Sequence, residues 1–152
     1  LPLPSLDVAY LQLRDPSGYA MLLDGHTGSP RRMKDHQVII GTRQKATCAP
    51  QLVAAVAAIF TRHGFDVHEN VSGFKGGNIV AAFGQPQARR VHALQLEIDA
   101  SLLMTTSREK FIAHISRGGM PERAEENIAR VRQCLREVLT ALPLVLAAVH
   151  ES

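Results

Sequence analysis

The chain has 152 residues, 45% of them hydrophobic and 20% charged, with a formal net charge of +3. That size and balance describe one globular domain, residues 1–152, with a core of its own, and exclude a largely disordered chain. No apolar run reaches the roughly 20 residues a membrane helix needs, and the mild charge, 5% aromatics and absence of Trp argue against a nucleic-acid surface.

Residues 1–6 lack the charged and apolar regions of a secretory leader. The two cysteines, Cys48 and Cys134, do not make a disulfide framework, so a reduced, cytoplasmic setting is expected. Residues 19–24 (YAMLLD) and 38–40 are short apolar runs of the kind buried strands carry. Between them, residues 26–34 are rich in Gly, Ser, Pro and Arg and read as a loop. The spacing of Leu52, Val53, Val56, Ile59 and Phe60 predicts a helix over 50–64, with Pro50 in its first turn and Gly64 as its stop. Residues 65–68 then read as a strand, which makes a βαβ unit and a largely parallel sheet.

Residues 71–77 (VSGFKGG) form a glycine-rich turn. Residues 78–83 fit either a strand or a short helix, and 84–90 a loop. Residues 91–98 (VHALQLEI) alternate as a strand, with Val91, Ala93, Gln95 and Glu97 on one face. The last third is helical: 107–115, a break at Gly118-Gly119, then a long helix over 121–148. That helix carries Ile128, Val131, Leu135, Val138 and Leu139 on one side, and Pro143 is expected to kink or end it. The architecture is α/β.

Several residues could carry chemistry. His26, in Asp24-Gly25-His26-Thr27, follows a buried strand, where sites form in open α/β sheets. It could bind a metal with a carboxylate orienting its second nitrogen, or it could be an exposed loop histidine. Glu97 lies on an apolar strand, where a carboxylate needs a partner or a task. General-base work is one such task, and a salt bridge or a water-facing edge is the other reading. Lys75, beside Gly76-Gly77, could help cradle an anion, although the turn lacks the spacing of a nucleotide loop. Arg43 could clamp a carboxylate in a bidentate fork. Arg89 and Arg90 read as solvated. His63 suits a helix C-terminus, and His36, His114 and His150 read as exposed. By strand order His68 and His92 fall near the candidate site or in the core. Cys48 has no local base and reads as structural.

Five stretches in order carry a resemblance: LLDGHTGSP (22–30), IIGTRQKATCAPQL (39–52), HGFDVHEN (63–70), FKGGNIVAAFGQP (74–86) and VHALQLEI (91–98). Together they resemble the C-terminal part of the N-formylglutamate amidohydrolases (N-formylglutamate deformylases). The resemblance implies a carboxypeptidase-like (phosphorylase/hydrolase-like) α/β fold, incomplete on its N-terminal side. It implies zinc-dependent hydrolysis of N-formylglutamate to formate and glutamate, a step of histidine degradation. By the same resemblance His26 is a zinc ligand, Glu97 the general base, and Arg43 and Lys75 hold the substrate carboxylates. The partner implied is a small N-acyl amino acid, with no nucleic acid and no membrane.

Thr27 and Asp99 depart from the family pattern, and nothing in residues 1–18 matches its upstream His-Ser-Gly zinc block. Catalytic zinc takes three protein ligands and a water, and this chain offers one by resemblance. A fragment, a non-catalytic remnant that binds an acidic ligand, and a site completed by other histidines stay open. So does a related zinc amidase acting on another N-acyl substrate. An α/β domain cut short would expose a sheet edge and favour self-association. A nucleic-acid reading of the last helix fails because Arg123, Arg130, Arg132 and Arg136 are interleaved with Glu122, Glu125, Glu126 and Glu137.

Overall fold

The computed structural model describes residues 18–105, 110, 113, 116–119 and 122–151. The predicted helix start at Pro121, most of the predicted 107–115 helix and His114 lie outside these residues. The elements in chain order are β1 (Ala20–Gly28), α1 (Pro30–Met33), β2 (Val38–Gly41), α2 (Pro50–Arg62), β3 (Val67–Glu69), α3 (Asn78–Phe83), α4 (Pro86–Arg89), β4 (Val91–Asp99), a 3₁₀ turn (Ala100–Leu103) and α5 (Glu125–Glu151).

The four strands form one sheet in the order β1-β4-β2-β3. β1 runs parallel to β4 over its whole length, and β2 runs parallel to β3. β2 and β4 are antiparallel, so two of the three pairings are parallel and the sheet is mixed. The expected βαβ unit is present as β2–α2–β3. The carboxyl ends of β1 and β4 therefore share one end of the sheet with the amino ends of β2 and β3.

Register separates the two faces, because residues paired across strands project to the same side. Val38, Ile40, Leu94, Leu96 and Ile98 belong to the main core, together with Leu52, Val56 and Phe60 of α2 and Val131, Cys134, Val138, Leu142 and Leu146 of α5. Ile39 faces the other way and packs in a smaller cluster with Met33 and Phe74. β4 is thus covered on both faces, and its alternation separates two environments rather than core from water.

α2 begins at Pro50 and stops as its sequence requires. Gly64 takes φ +79. Its N–H donates to Thr61 O at 2.9 Å, and Phe65 N–H reaches back to Phe60 O at 3.1 Å. This is the Schellman arrangement, closed by the Phe60 and Phe65 rings 5.8 Å apart.

Three expectations need correction. β1 continues to Gly28, so His26 is a strand residue and the loop is shorter than read. Parallel pairing with β4 overrides the two glycines, which prefer turns in isolation. The 84–90 segment contains the short helix α4. The 78–83 segment, open between strand and short helix, is the helix α3. Pro143 does not end α5, because Val138, Leu142 and Leu146 on either side of it are anchored in the core. Taken as a whole helix rather than an unbroken apolar run, α5 is long and apolar enough to cross a membrane, with a mean hydropathy of 1.2 in its most apolar window. Its buried stripe here packs on α2 and the sheet.

Candidate functional site

One row of paired residues crosses the sheet as His26, Glu97, Ile39 and His68, and a second as Asp24, Gln95 and Gly41. His26, Asp24, Gln95 and Glu97 therefore stand on one face at the carboxyl ends of β1 and β4. His26 Nε2–H donates to Asp24 Oδ1 at 2.9 Å. Gln95 Nε2–H donates to Glu97 Oε1 at 2.9 Å. Gln95 and Glu97 thus share a side, as their spacing predicts.

Glu97 is only 6% exposed. Burial raises its carboxyl above the ordinary carboxylate range; His26 pulls it down, Asp24 pushes it up, and Arg32 pulls it down. Gly28 sits beside it, and a side chain there would run into Met33 and come within 3.5 Å of Glu97 Oε2. The carboxylate is held in a tight, mostly dry slot beside an imidazole.

The second part of the site is basic. Arg43, Gln44 and Lys45 follow β2 in three successive left-handed conformations, φ +47, +59 and +70. Non-glycine residues take this region at a cost and need outside support. Asn70 supplies it: its Oδ1 accepts from the N–H of Thr42 at 2.9 Å and of Gln44 at 3.1 Å, and its Nδ2–H donates to Thr42 Oγ1 at 3.2 Å. Arg43 Nη1–H reaches Gly76 O at 3.4 Å. Arg43, Gln44, Ala46 and Lys75 line an open cavity of about 430 Å³.

Glycine is required where these parts meet. A Cβ on Gly41 would strike the Gly76 backbone and stand 2.8 Å from Phe74 O. Gly76 has φ +103. A Cβ on Gly77 would stand 3.7 Å from Gln95 Nε2. The Lys75-Gly76-Gly77 turn therefore runs from the basic cavity to the side chain that holds Glu97. All four predicted residues fall in two adjoining groups, His26 with Glu97 and Arg43 with Lys75. Asn70 escaped the sequence reading. Its one local signal is that an asparagine tolerates the left-handed φ of +52 found there.

The other histidines lie elsewhere. His92 sits at the amino end of β4, far from Glu97 along the same strand. Its Nδ1 accepts from Ala49 N–H at 3.0 Å, and its Nε2 lies 3.0 Å from His150 Nε2. His150 is half-buried and stacked on Tyr19 rather than exposed. Cys48 is buried and its thiol is pushed up to about 12, so it is an inert core group, as expected.

His26 offers one imidazole to a metal, and its partner Asp24 is engaged in orienting it. Among the described residues, one group of three metal-binding side chains converges to within 4.8 Å, and it is His36, Asp66 and His68. The residues around His26 therefore do not by themselves fit a zinc centre with three protein ligands.

The sequence profile of the N-formylglutamate amidohydrolase family matches residues 6–104. A curated N-formylglutamate deformylase from Pseudomonas aeruginosa is 34% identical over 94 residues, which cover 57% of this chain and 34% of that protein. Its counterpart from Pseudomonas putida is 31% identical over 100 residues, covering 61% and 36%. The crystal structure of an N-formylglutamate amidohydrolase from Ralstonia eutropha JMP134 superposes with a TM-score of 0.72 at 23% identity, over 93% of this chain and 49% of that one. That likeness establishes the mixed α/β fold. The chain spans about a third of the length of the curated relatives it matches.

Proposed function

This chain belongs to the N-formylglutamate amidohydrolase family, and we propose that it carries the proton-transfer and carboxylate-binding part of a site that hydrolyses N-formylglutamate to formate and glutamate. The observation that carries this reading is Glu97: a buried carboxylate, held by Gln95, in register with His26.

A base works best when its pKa lies near the working pH, and burial moves Glu97 in that direction. Glu97 takes a proton from the attacking water and delivers it to the departing amine of glutamate. Gln95 fixes one carboxylate oxygen and leaves the other for this exchange. Arg43 and Lys75 bind the two carboxylates of the substrate, and the 75–77 turn sets the distance from that cavity to Glu97. Holding the amide in place in this way removes much of the entropic cost of the reaction.

Zinc dependence is part of the same proposal. A zinc ion polarises a carbonyl and acidifies a bound water. His26 would supply one imidazole to it, and the described residues around His26 do not complete a set of three ligands. A cytoplasmic, small-molecule role accords with this chemistry.

The experiment is formate release from N-formyl-L-glutamate by the 152-residue chain with zinc supplied, together with calorimetric binding of the substrate. Glu97→Gln is expected to lower turnover by about 10²- to 10⁴-fold, the usual worth of a positioned base, while leaving binding intact. Arg43→Ala is expected to weaken binding by roughly 10- to 100-fold, as loss of a charge-assisted contact does. Binding without turnover, unchanged by Glu97→Gln, would instead support the non-catalytic remnant. That reading draws on the single imidazole at His26. Absence of binding would overturn both.

A further inference from the structure

β2 and β3 enter the sheet side by side, and the residues around their amino ends carry three metal-binding side chains that the hydrolytic reading does not use. His36 lies two residues before β2, Asp66 one residue before β3, and His68 within β3. One backbone bond and one side-chain bond tie the two approaches together, and a local turn bond holds His36. Val38 N–H donates to Asp66 O at 3.0 Å, His36 N–H to Met33 O at 3.0 Å, and Asp66 N–H to Gln37 Oε1 at 2.9 Å.

The side chains converge on one carboxylate. His68 Nε2 lies 2.9 Å from both oxygens of Asp66. His36 Nδ1 lies 3.7 Å from Asp66 Oδ2. The two imidazole rings are 3.9 Å apart and tilted by 45°. One ligand atom from each residue lies within 4.8 Å of the others.

A tetrahedral zinc with bonds of about 2.0–2.2 Å sets its ligand atoms roughly 3.3–3.5 Å apart. The observed separations bracket that value, so small side-chain rotations close the site. An Asp66–His68 ion pair alone would be an ordinary surface contact of little consequence. What differs here is a third ligand, His36, brought from a segment 30 residues away and fixed by backbone bonds on both sides.

We propose that His36, Asp66 and His68 bind a divalent cation of the zinc class, with water in the fourth position. Two imidazoles and one carboxylate suit zinc or cobalt and disfavour calcium or magnesium, which prefer all-oxygen shells. Side-chain exposures of 27% for His36, 54% for Asp66 and 40% for His68 leave an entry path and room for the water. The site is separate from His26. His26 and His68 lie in one row, but on the two edge strands, three strand spacings or roughly 14 Å apart. The ion would tie the entry to β2 to the start of β3 and stabilise the folded state by binding it alone.

The test is zinc titration of the metal-stripped 152-residue chain against a chromophoric chelator, with melting temperature as a second readout. The wild type and His26→Ala are expected to take up zinc at this site equally and to melt higher with it. His36→Ala, Asp66→Asn and His68→Ala are each expected to weaken uptake by more than about 10-fold, since even an outer partner of a ligand is worth that much. Imidazole NMR of the wild type, which needs no variant to fold, should show zinc shifting the His36 and His68 resonances. Overturning results are no uptake by the wild type, equal uptake by the His36 and His68 variants, or NMR shifts confined to His26. Formate release enters none of these readouts, so this site and the hydrolytic reading can fail separately.

Discussion

Glu97 shows how the chemistry proposed for a single residue is set against stability. Its carboxyl is raised in the folded state, chiefly by burial, while His26 lowers it, Asp24 raises it and Arg32 lowers it. A carboxyl raised on folding favours the fold when protonated, and that advantage is lost as pH rises through its folded value. At neutral pH the ionised group is therefore a liability. Glu97→Gln keeps the acceptor for Gln95 Nε2 and removes the charge, so it is expected to raise the melting temperature at pH 7 and to change it little near pH 4. Differential scanning calorimetry at the two pH values decides this, and a gain of equal size at both would mean that ionisation of Glu97 is not the cause. Glu97 and Gln95 were legible because a period of two puts both on one face of a strand, and a carboxylate among apolar neighbours stands out. His26 was legible as a residue but not as a strand residue. The pairing that extends β1 to Gly28 comes from β4, some seventy positions later, and no local signal reports it.

Among the elements, the turn after β2 depends most on distant support. Arg43, Gln44 and Lys45 hold left-handed conformations, and Asn70, just past β3, spans them with three side-chain hydrogen bonds. Asn70 is itself placed by its N–H, which donates to Ile40 O at 2.8 Å. The basic cavity lined by Arg43 and Lys75 thus exists only once β2 and β3 have paired. Asn70→Ala leaves the buried Thr42 N–H without its acceptor and is expected to cost about 1–3 kcal/mol. It should also weaken N-formylglutamate binding by letting Arg43 move. Asn70→Asp keeps the acceptor and should recover most of both losses. Urea unfolding and calorimetric titration of the two variants measure this, and unchanged binding in Asn70→Ala would detach Asn70 from the cavity. The βαβ unit was readable because α2 carries its own start, stripe and stop. Read as a stop, Pro143 misled for the opposite reason. An internal proline costs a helix about 3 kcal/mol, which a local reading takes as a stop, whereas α5 is held by side chains that meet α2 and the sheet.

Across the whole molecule, two polar clusters fasten α5 to the body, and both respond to acid. Ala49 N–H donates to His92 Nδ1, so neutral His92 carries its proton on Nε2 and donates it to His150 Nε2 at 3.0 Å. His150 then carries its own proton on Nδ1. Burial, with help from His150, lowers His92 to about 4; His150 is lowered too, by burial and then by Arg90. At the other contact Glu137 is lowered to about 2 by hydrogen bonds from Gln133, Arg62 and His63, and Arg62 and His63 are the closing residues of α2. The signs agree. A histidine lowered on folding opposes the fold when protonated, so stability is lost as pH falls from about 6.5 toward 4, by at most about 3 kcal/mol for His92. A glutamate lowered on folding contributes above its unfolded value, and that contribution is lost as pH falls from 4.5 to about 2. Acid is therefore expected to loosen α5 in two steps, first at its carboxyl end by His92 and His150, then midway by Glu137. Urea unfolding followed by circular dichroism at pH 7, 5.5, 4 and 3 resolves them. His92→Asn retains an acceptor for Ala49 and cannot titrate, so it should flatten the upper step whatever its baseline stability. Glu137→Gln should leave that step in place and remove the lower one. An upper step that persists unchanged in His92→Asn would mean that the docking of α5 takes its acid sensitivity from elsewhere.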